Sequence, residues 1–185
     1  IMSFYRRAVQ PGGTFFFTVV TFHRRPLLAT DRTRAVLRRA MAQTCRERPF
    51  ENVAMVLLPD HLHTVWTLPR GDADFSTRWR LIKTRVTQAL LDDGVDAAHP
   101  SDARRGRHQH AIWQPRFWEH TIRDDEDLRR HMDYIHWNPV KHGLVSRVRD
   151  WPWSTFHRYV QQGLYPADWG CSELPSIAEE RLEGE

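Results

Sequence analysis

The stretch "NVAMVLLPDHLHTVWTL", residues 52–68, contains two runs of apolar and β-branched residues separated by Pro59 and Asp60. A break this short predicts a tight connection between two antiparallel strands. Side chains at positions i and i+2 of a strand project from the same face, so His61 and His63 share a face of the second strand. Two imidazoles placed in this way could hold one divalent metal ion if a third protein ligand completes the site.

The flanking sequence predicts an α+β fold around this pair of strands. An aromatic and β-branched run predicts a first strand, three amphipathic stretches predict helices, and "IWQPRFWEHTI" predicts a fourth strand. The resulting order, β-α-β-β-α-β-α, fits a ferredoxin-like antiparallel sheet with its helices packed mainly on one face. The first strand is expected in residues 13–22, the helices in 30–48, 74–92 and 123–138, and the fourth strand in 112–122.

Composition and charge favour a polyanionic partner. The chain has 185 residues and a net charge of +4, but its last 14 residues carry five glutamates against Arg181 alone. Nearly all cationic residues are arginines, whose planar guanidinium suits phosphate contact and base stacking. Two cysteines are too few for a disulfide framework or a multi-cysteine zinc site, and no apolar run approaches the length of a membrane span. We therefore expect a cytoplasmic protein that binds nucleic acid.

The predicted third helix places a set of polar side chains on one face. Asp127, His131, Tyr134 and Asn138 are spaced by four, three and four residues. Leu128, Met132 and Ile135 fall on another face and are expected to form the apolar stripe. Since proline disfavours helical geometry at the residue before it, the helix is expected to end near Asn138.

The histidine pair and the third helix together suggest nuclease chemistry. His61, His63 and the amide oxygen of Asn138 would hold a metal against a phosphodiester, and Tyr134 would supply the nucleophilic hydroxyl. The product would be a covalent phosphotyrosine, which conserves the energy of the broken bond for rejoining. The sequence has no Walker-type glycine loop, so we expect no nucleotide cofactor.

Four motifs resemble the successive motifs of REP-associated tyrosine transposases, a branch of the single-strand HUH transposases with one catalytic tyrosine. They are "LLPDHLHTVWTLP", "RFWEHTIRDDEDL", "DYIHWNPVKHGLV" and "DWPWSTFHRYV", and the resemblance runs from the first strand to about Tyr159. It implies an HUH catalytic domain in residues 1–149, followed in 150–185 by an aromatic segment and an acidic tail that pack on or near the active site.

The resemblance also implies the roles of the site residues. It makes His61 and His63 the metal-binding pair, Tyr134 the nucleophile and Asn138 the third ligand, where insertion-sequence relatives commonly carry glutamine. Family members use magnesium or manganese and cleave and rejoin single-stranded DNA at REP palindromes. They recognise an imperfect hairpin with a tetranucleotide on its 5′ side and form a 5′-phosphotyrosine. A nucleoid-associated monomer is the expected form.

Basic and aromatic residues provide candidate DNA contacts. Unpaired bases could stack on tryptophans, and Trp66, Trp79, Trp113, Trp118 and Trp137 are either core residues or such platforms. Residues 96–111 are expected to form a mobile basic loop. The candidate phosphate contacts are Arg6, Arg7, Arg24, Arg25, Arg78, Arg80, Lys83, Arg85, Arg104, Arg105, Arg107, Arg116 and Lys141.

Two other functions are compatible with the same residues. A regulatory hairpin-binding protein with an idle metal site would need the arginines but neither Tyr134 nor metal. A metal-dependent hydrolase would use water activated by Asp60 or Glu119 and would form no covalent intermediate.

Overall fold

The computed structural model describes residues 10–95 and 112–170. Four antiparallel strands form one sheet in the order β2-β3-β1-β4. The tight connection at Pro59 and Asp60 joins two antiparallel neighbours, as the sequence predicts. The strands are β1 (Thr14–Val20), β2 (Glu51–Leu57), β3 (His61–Thr67) and β4 (Trp118–Thr121).

The helices confirm the predicted order of elements and the α+β class. They are α1 (Asp31–Glu47), α2 (Phe75–Asp92), α3 (Asp125–Lys141) and a short α4 (Phe156–Gln161), with 3-10 turns at Phe22–Arg24 and Val148–Asp150. Thr30, Asp74 and Asp124 cap the first three helices by accepting a hydrogen bond from the backbone three residues on. No helix within residues 10–95 and 112–170 is long and apolar enough to cross a membrane.

The sheet is covered on both faces. Phe15, Phe17 and Val19 of β1 pack into the core beneath α1 and α2, where Trp66 stacks on Trp79 with ring centroids 4.2 Å apart. Phe16 and Val65 point to the opposite face, which α3 covers. Two of the three long helices therefore share one face, and the third lies on the face to which His61 and His63 point.

Helix α3 differs from the sequence expectation in two respects. Its polar side chains at Asp127, His131, Tyr134 and Asn138 are buried against the sheet, whereas Leu128 and Met132 are only partly buried. Ile135, the third residue of the expected apolar stripe, is buried as well, so the polar face packs on the sheet together with part of that stripe.

The helix also continues through Pro139 to Lys141. Pro139 removes one backbone N–H donor and its ring crowds the preceding turn, but the backbone N–H of His142 still donates to the carbonyl of Asn138 at 3.0 Å. Because Trp137, Asn138 and Pro139 are all buried, tertiary packing outweighs the local preference against helix before proline.

The segment after residue 150 closes the outer edge of β2. The backbone of Leu57 donates to Trp153, and Thr155 donates to Met55. The Thr155 hydroxyl accepts from the backbone N–H of Met55, and the Trp151 indole donates to the carbonyl of Leu57. These contacts satisfy an edge that would otherwise expose unpaired backbone groups.

Candidate active site

His61 and His63 lie at the start of β3, next to the connection from β2. Their side chains point to the face of the sheet that α3 covers. His61 is opposite Val20, and His63 is opposite Thr18, in the register of β1 with β3. Their ring centroids are 4.9 Å apart, and the rings are nearly perpendicular at 84°. Both side chains are buried.

Each of these histidines has a hydrogen-bond partner at Nδ1. His61 Nδ1 lies 2.6 Å from the carboxylate of Asp60, which in turn accepts from Arg24 at 3.2 Å. His63 Nδ1 lies 2.9 Å from the hydroxyl of Thr18. A carboxylate partner favours the proton on Nδ1 and leaves the Nε2 lone pair of His61 available. Among the described residues, that buried Nε2 has no hydrogen-bond partner.

The protonation states of His61 and Asp60 suit metal binding. Burial lowers the pKa of His61, and the hydrogen bond and charge of Asp60 only partly oppose this effect. The imidazole is therefore neutral at neutral pH, which is the form that ligates metals. Burial would raise the pKa of Asp60, but His61 and Arg24 outweigh it and hold this pKa below its usual value.

Tyr134 faces the histidine pair from α3. The Tyr134 ring centroid lies 5.2 Å from that of His63, and the ring is buried. One helical turn later Asn138 is fully buried, and neither of its amide atoms has a hydrogen-bond partner within residues 10–95 and 112–170. A buried amide without a partner is costly, so this amide, one helical turn from Tyr134 on the same helix, fits a ligand role.

Two residues at the end of α3 also reach this site. Lys141 Nζ lies 3.5 Å from the hydroxyl of Tyr134 and 4.8 Å from the centroid of its ring. The ring of His142 lies 5.2 Å from that of His61. The sequence predicts that Lys141 contacts DNA. It does not predict that Lys141 lies beside Tyr134 or that His142 lies beside His61, because it predicts a helix end near Asn138. The available signal was the continued spacing of 134, 138 and 141 along one helical face.

A second group of potential ligands lies nearer the start of α3. His120, Asp127 and His131 could hold a metal ion, since one ligand atom from each lies within 4.8 Å of the others. The rings of His120 and His131 are stacked within 15° of parallel. Because an imidazole lone pair lies in the plane of its ring, one ring must rotate before both can bind one ion.

Hydrogen bonds already occupy the carboxylate of this second group. Asp127 accepts from His120 at 2.8 Å and from the side chain and backbone of Arg123. Burial alone would raise the pKa of Asp127, but these bonds outweigh it and hold the pKa well below its usual range. Burial lowers the pKa of His131.

The predicted DNA contacts separate into exposed and engaged residues. Arg24, Arg80 and Arg116 are exposed, and Arg25 is half-buried. Arg24 has a left-handed φ of 51°, a conformation that side-chain-bearing residues rarely adopt, in the turn that places it against Asp60. The remaining candidates Arg6, Arg7, Arg104, Arg105 and Arg107, and the proposed loop 96–111, lie outside the described residues.

Arg78 is a correction to the predicted DNA surface. Its side chain is 1% exposed and forms an ion pair with Asp72 at 2.7 Å. It also donates to the carbonyls of Arg48, Pro49 and Asp74. The guanidinium therefore joins the start of α2 to the end of α1 and is not accessible to DNA.

Two further candidates on α2 are engaged within the protein. Arg85 donates to the hydroxyl of Thr44 and to the carboxylate of Glu47 at 2.5 Å each. Lys83 donates to the carbonyl of Gln114 at 2.9 Å. Both side chains pack on the face of the sheet opposite the histidine pair, because α2 covers that face.

The aromatic and acidic candidates are also divided by the sheet. Trp66, Trp79, Trp113 and Trp137 are buried, whereas Trp118 is half-buried. Glu119 pairs in register with Phe17, whose side chain lies in the core beneath α1 and α2. This places Glu119 on the face away from His61 and His63 and separates it from any water they would bind.

Comparisons with known proteins agree with this fold. No protein-family model matches the chain. A relative from Escherichia coli (strain K12), named REP-associated tyrosine transposase, is 50% identical over 181 residues, which are 98% of this chain and 99% of the relative. A relative from Haemophilus influenzae with a name of the same family is 46% identical over 169 residues, 91% of this chain and 94% of the relative.

A solved structure gives the same result. It is a REP-associated tyrosine transposase bound to a REP hairpin, and it matches this chain with a TM-score of 0.81 and 47% identity over 100% of this chain and 98% of that one. The chain therefore belongs to the family of REP-associated tyrosine transposases. The resemblance of the four sequence motifs is thereby confirmed.

Proposed function

We propose that this protein is a metal-dependent single-strand DNA transposase and endonuclease that cleaves and rejoins DNA at REP-type hairpins through a 5′-phosphotyrosine intermediate. The observation that carries the proposal is the placement of Tyr134 against His63, 5.2 Å between ring centroids, on one face of the sheet. The solved relative bound to a REP hairpin supports this class of DNA as the substrate. We further propose that the protein acts as a monomer at the nucleoid and recognises a tetranucleotide on the 5′ side of the hairpin.

His61, His63 and Asn138 are the residues that would hold Mg²⁺ or Mn²⁺. Two imidazoles and an amide oxygen form a mixed N/O set with positions left for substrate, which suits Mn²⁺ and permits Mg²⁺. The buried, unpartnered Nε2 of His61 and amide of Asn138, assessed over the described residues, fit this role. The bound ion would polarise the phosphate oxygens of the scissile bond.

The reaction assigned to Tyr134 is a transesterification. Its hydroxyl oxygen attacks phosphorus and the P–O3′ bond breaks. The phenol proton passes to water, and the departing O3′ takes a proton from water to become a free 3′ hydroxyl. Rejoining is the reverse step, in which a 3′ hydroxyl attacks the phosphotyrosine and releases Tyr134. Asp60 and Thr18 keep the rings of His61 and His63 in place during both steps. Each forms a hydrogen bond with the Nδ1 atom of its histidine.

The test uses end-labelled single-stranded REP hairpin DNA from the source genome with Mn²⁺ or Mg²⁺. A denaturing gel should show a protein-linked fragment that disappears with chelator and in Tyr134→Phe. Tyr165→Phe is the matched control, since Tyr165 hydrogen-bonds to Asp133 on α3 and lies outside the site. Tight binding without a linked or cut product would indicate an idle hairpin-binding protein, and cutting without a linked product would indicate a hydrolase that uses water.

A further inference from the structure

The last turn of α3 brings a cation to the proposed nucleophile. Lys141 follows Tyr134 by seven residues, two helical turns, and its Nζ lies 3.5 Å from the Tyr134 hydroxyl. We propose that Lys141 is a further catalytic residue, whose ammonium group binds the scissile phosphate beside Tyr134. The proposal rests on the function assigned to Tyr134 above and adds a specific role for Lys141.

The position of the ammonium group fits a phosphate oxygen. At attack, the tyrosine oxygen must approach phosphorus to about 3–3.5 Å. A cation 3.5 Å from that same oxygen can reach the non-bridging oxygens when phosphorus approaches from the same side. Phosphoryl transfer gains most from positioned charges on those oxygens, because the protein has little covalent chemistry to perform there.

The chemical type of the residue fits this role as well. The chain has only two lysines, and Lys83 lies on the opposite face of the sheet, where it donates to the carbonyl of Gln114. A lysine ammonium acts as a compact point charge with rotatable donors, whereas the arginine fork is suited to two oxygens at once. Lys141 can therefore follow a single phosphate oxygen as the geometry at phosphorus changes.

The fold restricts where this ammonium can go. Lys141 belongs to a helical turn that Asn138 and Pro139 anchor in the interior. Its ammonium group lies over the Tyr134 ring, 4.8 Å from the centroid, in a cation–π contact. The same helix thus sets the distance between the nucleophile and the proposed phosphate contact before DNA binds.

The experiment compares Lys141→Gln and Lys141→Arg with the wild-type protein in single-turnover formation of the DNA-linked product. We expect the rate to fall about 100-fold in Lys141→Gln, with partial recovery in Lys141→Arg. Hairpin affinity should fall at most about tenfold, since one phosphate contact among several is lost. Arg46→Gln removes one positive charge from exposed α1 on the other face of the sheet and should leave the rate unchanged.

A methylphosphonate at the scissile position distinguishes a phosphate contact from an effect on the tyrosine. Replacing a charged oxygen by methyl should shrink the ratio between wild-type and Lys141→Gln rates towards one. An unchanged ratio on methylphosphonate DNA, or equal rates of the two proteins on ordinary DNA, would overturn the proposed role of Lys141 alone. Absence of any linked product from the wild-type protein would overturn the function assigned to Tyr134 as well.

Discussion

At the scale of single residues, the polar groups around His61 decide what this molecule can do. Asp60 is held by Arg24 and in turn holds His61 by its Nδ1. Such a carboxylate fixes the ring and makes the imidazole a better ligand. The site therefore depends on residues that would not themselves touch a metal.

Asp60→Ala tests this dependence. We expect it to weaken Mn²⁺ binding by about 10- to 100-fold, because His61 loses the partner that fixes its orientation. Isothermal titration or the electron paramagnetic resonance signal of free Mn²⁺ measures the affinity. Asp31→Ala, at an exposed position on α1, is the control and should bind as the wild-type protein does. Unchanged affinity in Asp60→Ala would show that metal binding does not depend on the hydrogen bond from Asp60 to His61.

Arg78 and Arg80 provide a paired prediction, since they lie two residues apart on α2 but differ in burial. Arg78→Met should lower the free energy of unfolding by about 3 kcal/mol, because it leaves Asp72 and three backbone carbonyls without their buried partner. Arg80→Met should leave stability within about 0.5 kcal/mol. Urea denaturation measures both, and equal effects of the two substitutions would contradict the structural role of Arg78.

At the scale of elements, α3 shows both what the sequence predicts and where local rules fail. The spacing of Asp127, His131, Tyr134 and Asn138 predicts correctly that they share a face. It does not predict that this polar face packs on the sheet, because apolar patterning normally identifies the buried side of a helix. In α3 the polar face and Ile135 of the apolar stripe are buried together.

The end of α3 could not be predicted from local sequence either. Proline at 139 favours termination, but the buried side chains of Trp137 and Asn138 hold the chain in a helix to Lys141. That tertiary effect brings Lys141 and His142 to the site. The positions of His61 and His63 could be predicted, in contrast, because strand alternation is a local property.

The segment that closes the edge of β2 gives a prediction about Thr155. Its hydroxyl contacts the backbone of Met55 and the Nε2 of His136. Thr155→Val keeps the shape but removes these bonds and should cost about 1–3 kcal/mol of unfolding free energy. Thr84→Val, on the exposed side of α2, is the matched control and should cost much less. Equal midpoints of urea denaturation for Thr155→Val and Thr84→Val would show that the closure of the β2 edge does not depend on the Thr155 hydroxyl.

At the scale of the whole molecule, stability should decrease as the pH falls from 7 to 5. Burial lowers the pKa of His136 to about 3, whereas an unfolded histidine titrates near about 6.5. Below that value the unfolded state binds the additional proton, so stability is lost on acidification.

For His136 alone the loss between pH 6.5 and 5 amounts to about 2 kcal/mol. Urea denaturation at several pH values measures it. His136→Gln should reduce the dependence without abolishing it, since burial also lowers the pKa values of His61 and His131, whereas His157→Gln should retain it. A wild-type stability that does not change over this interval would contradict the burial of a neutral His136.

The chain-wide arrangement unites residues that are distant in sequence. His63 lies in β3 and Tyr134 in α3. Their rings meet because α3 packs on the face of the antiparallel sheet opposite α1 and α2. Sequence motifs identify the two groups separately. Their approach, and the addition of Lys141, follow only from the folded chain.

The most direct measurement is mass spectrometry of the protein–DNA product after nuclease and protease digestion. The chain has four tyrosines, Tyr5, Tyr134, Tyr159 and Tyr165. We predict that the nucleotide remains attached through a 5′ phosphate to the peptide that contains Tyr134 and to no other. A nucleotide on a different tyrosine, or a cleaved hairpin with no linked peptide, would contradict the assignment of Tyr134 as the nucleophile.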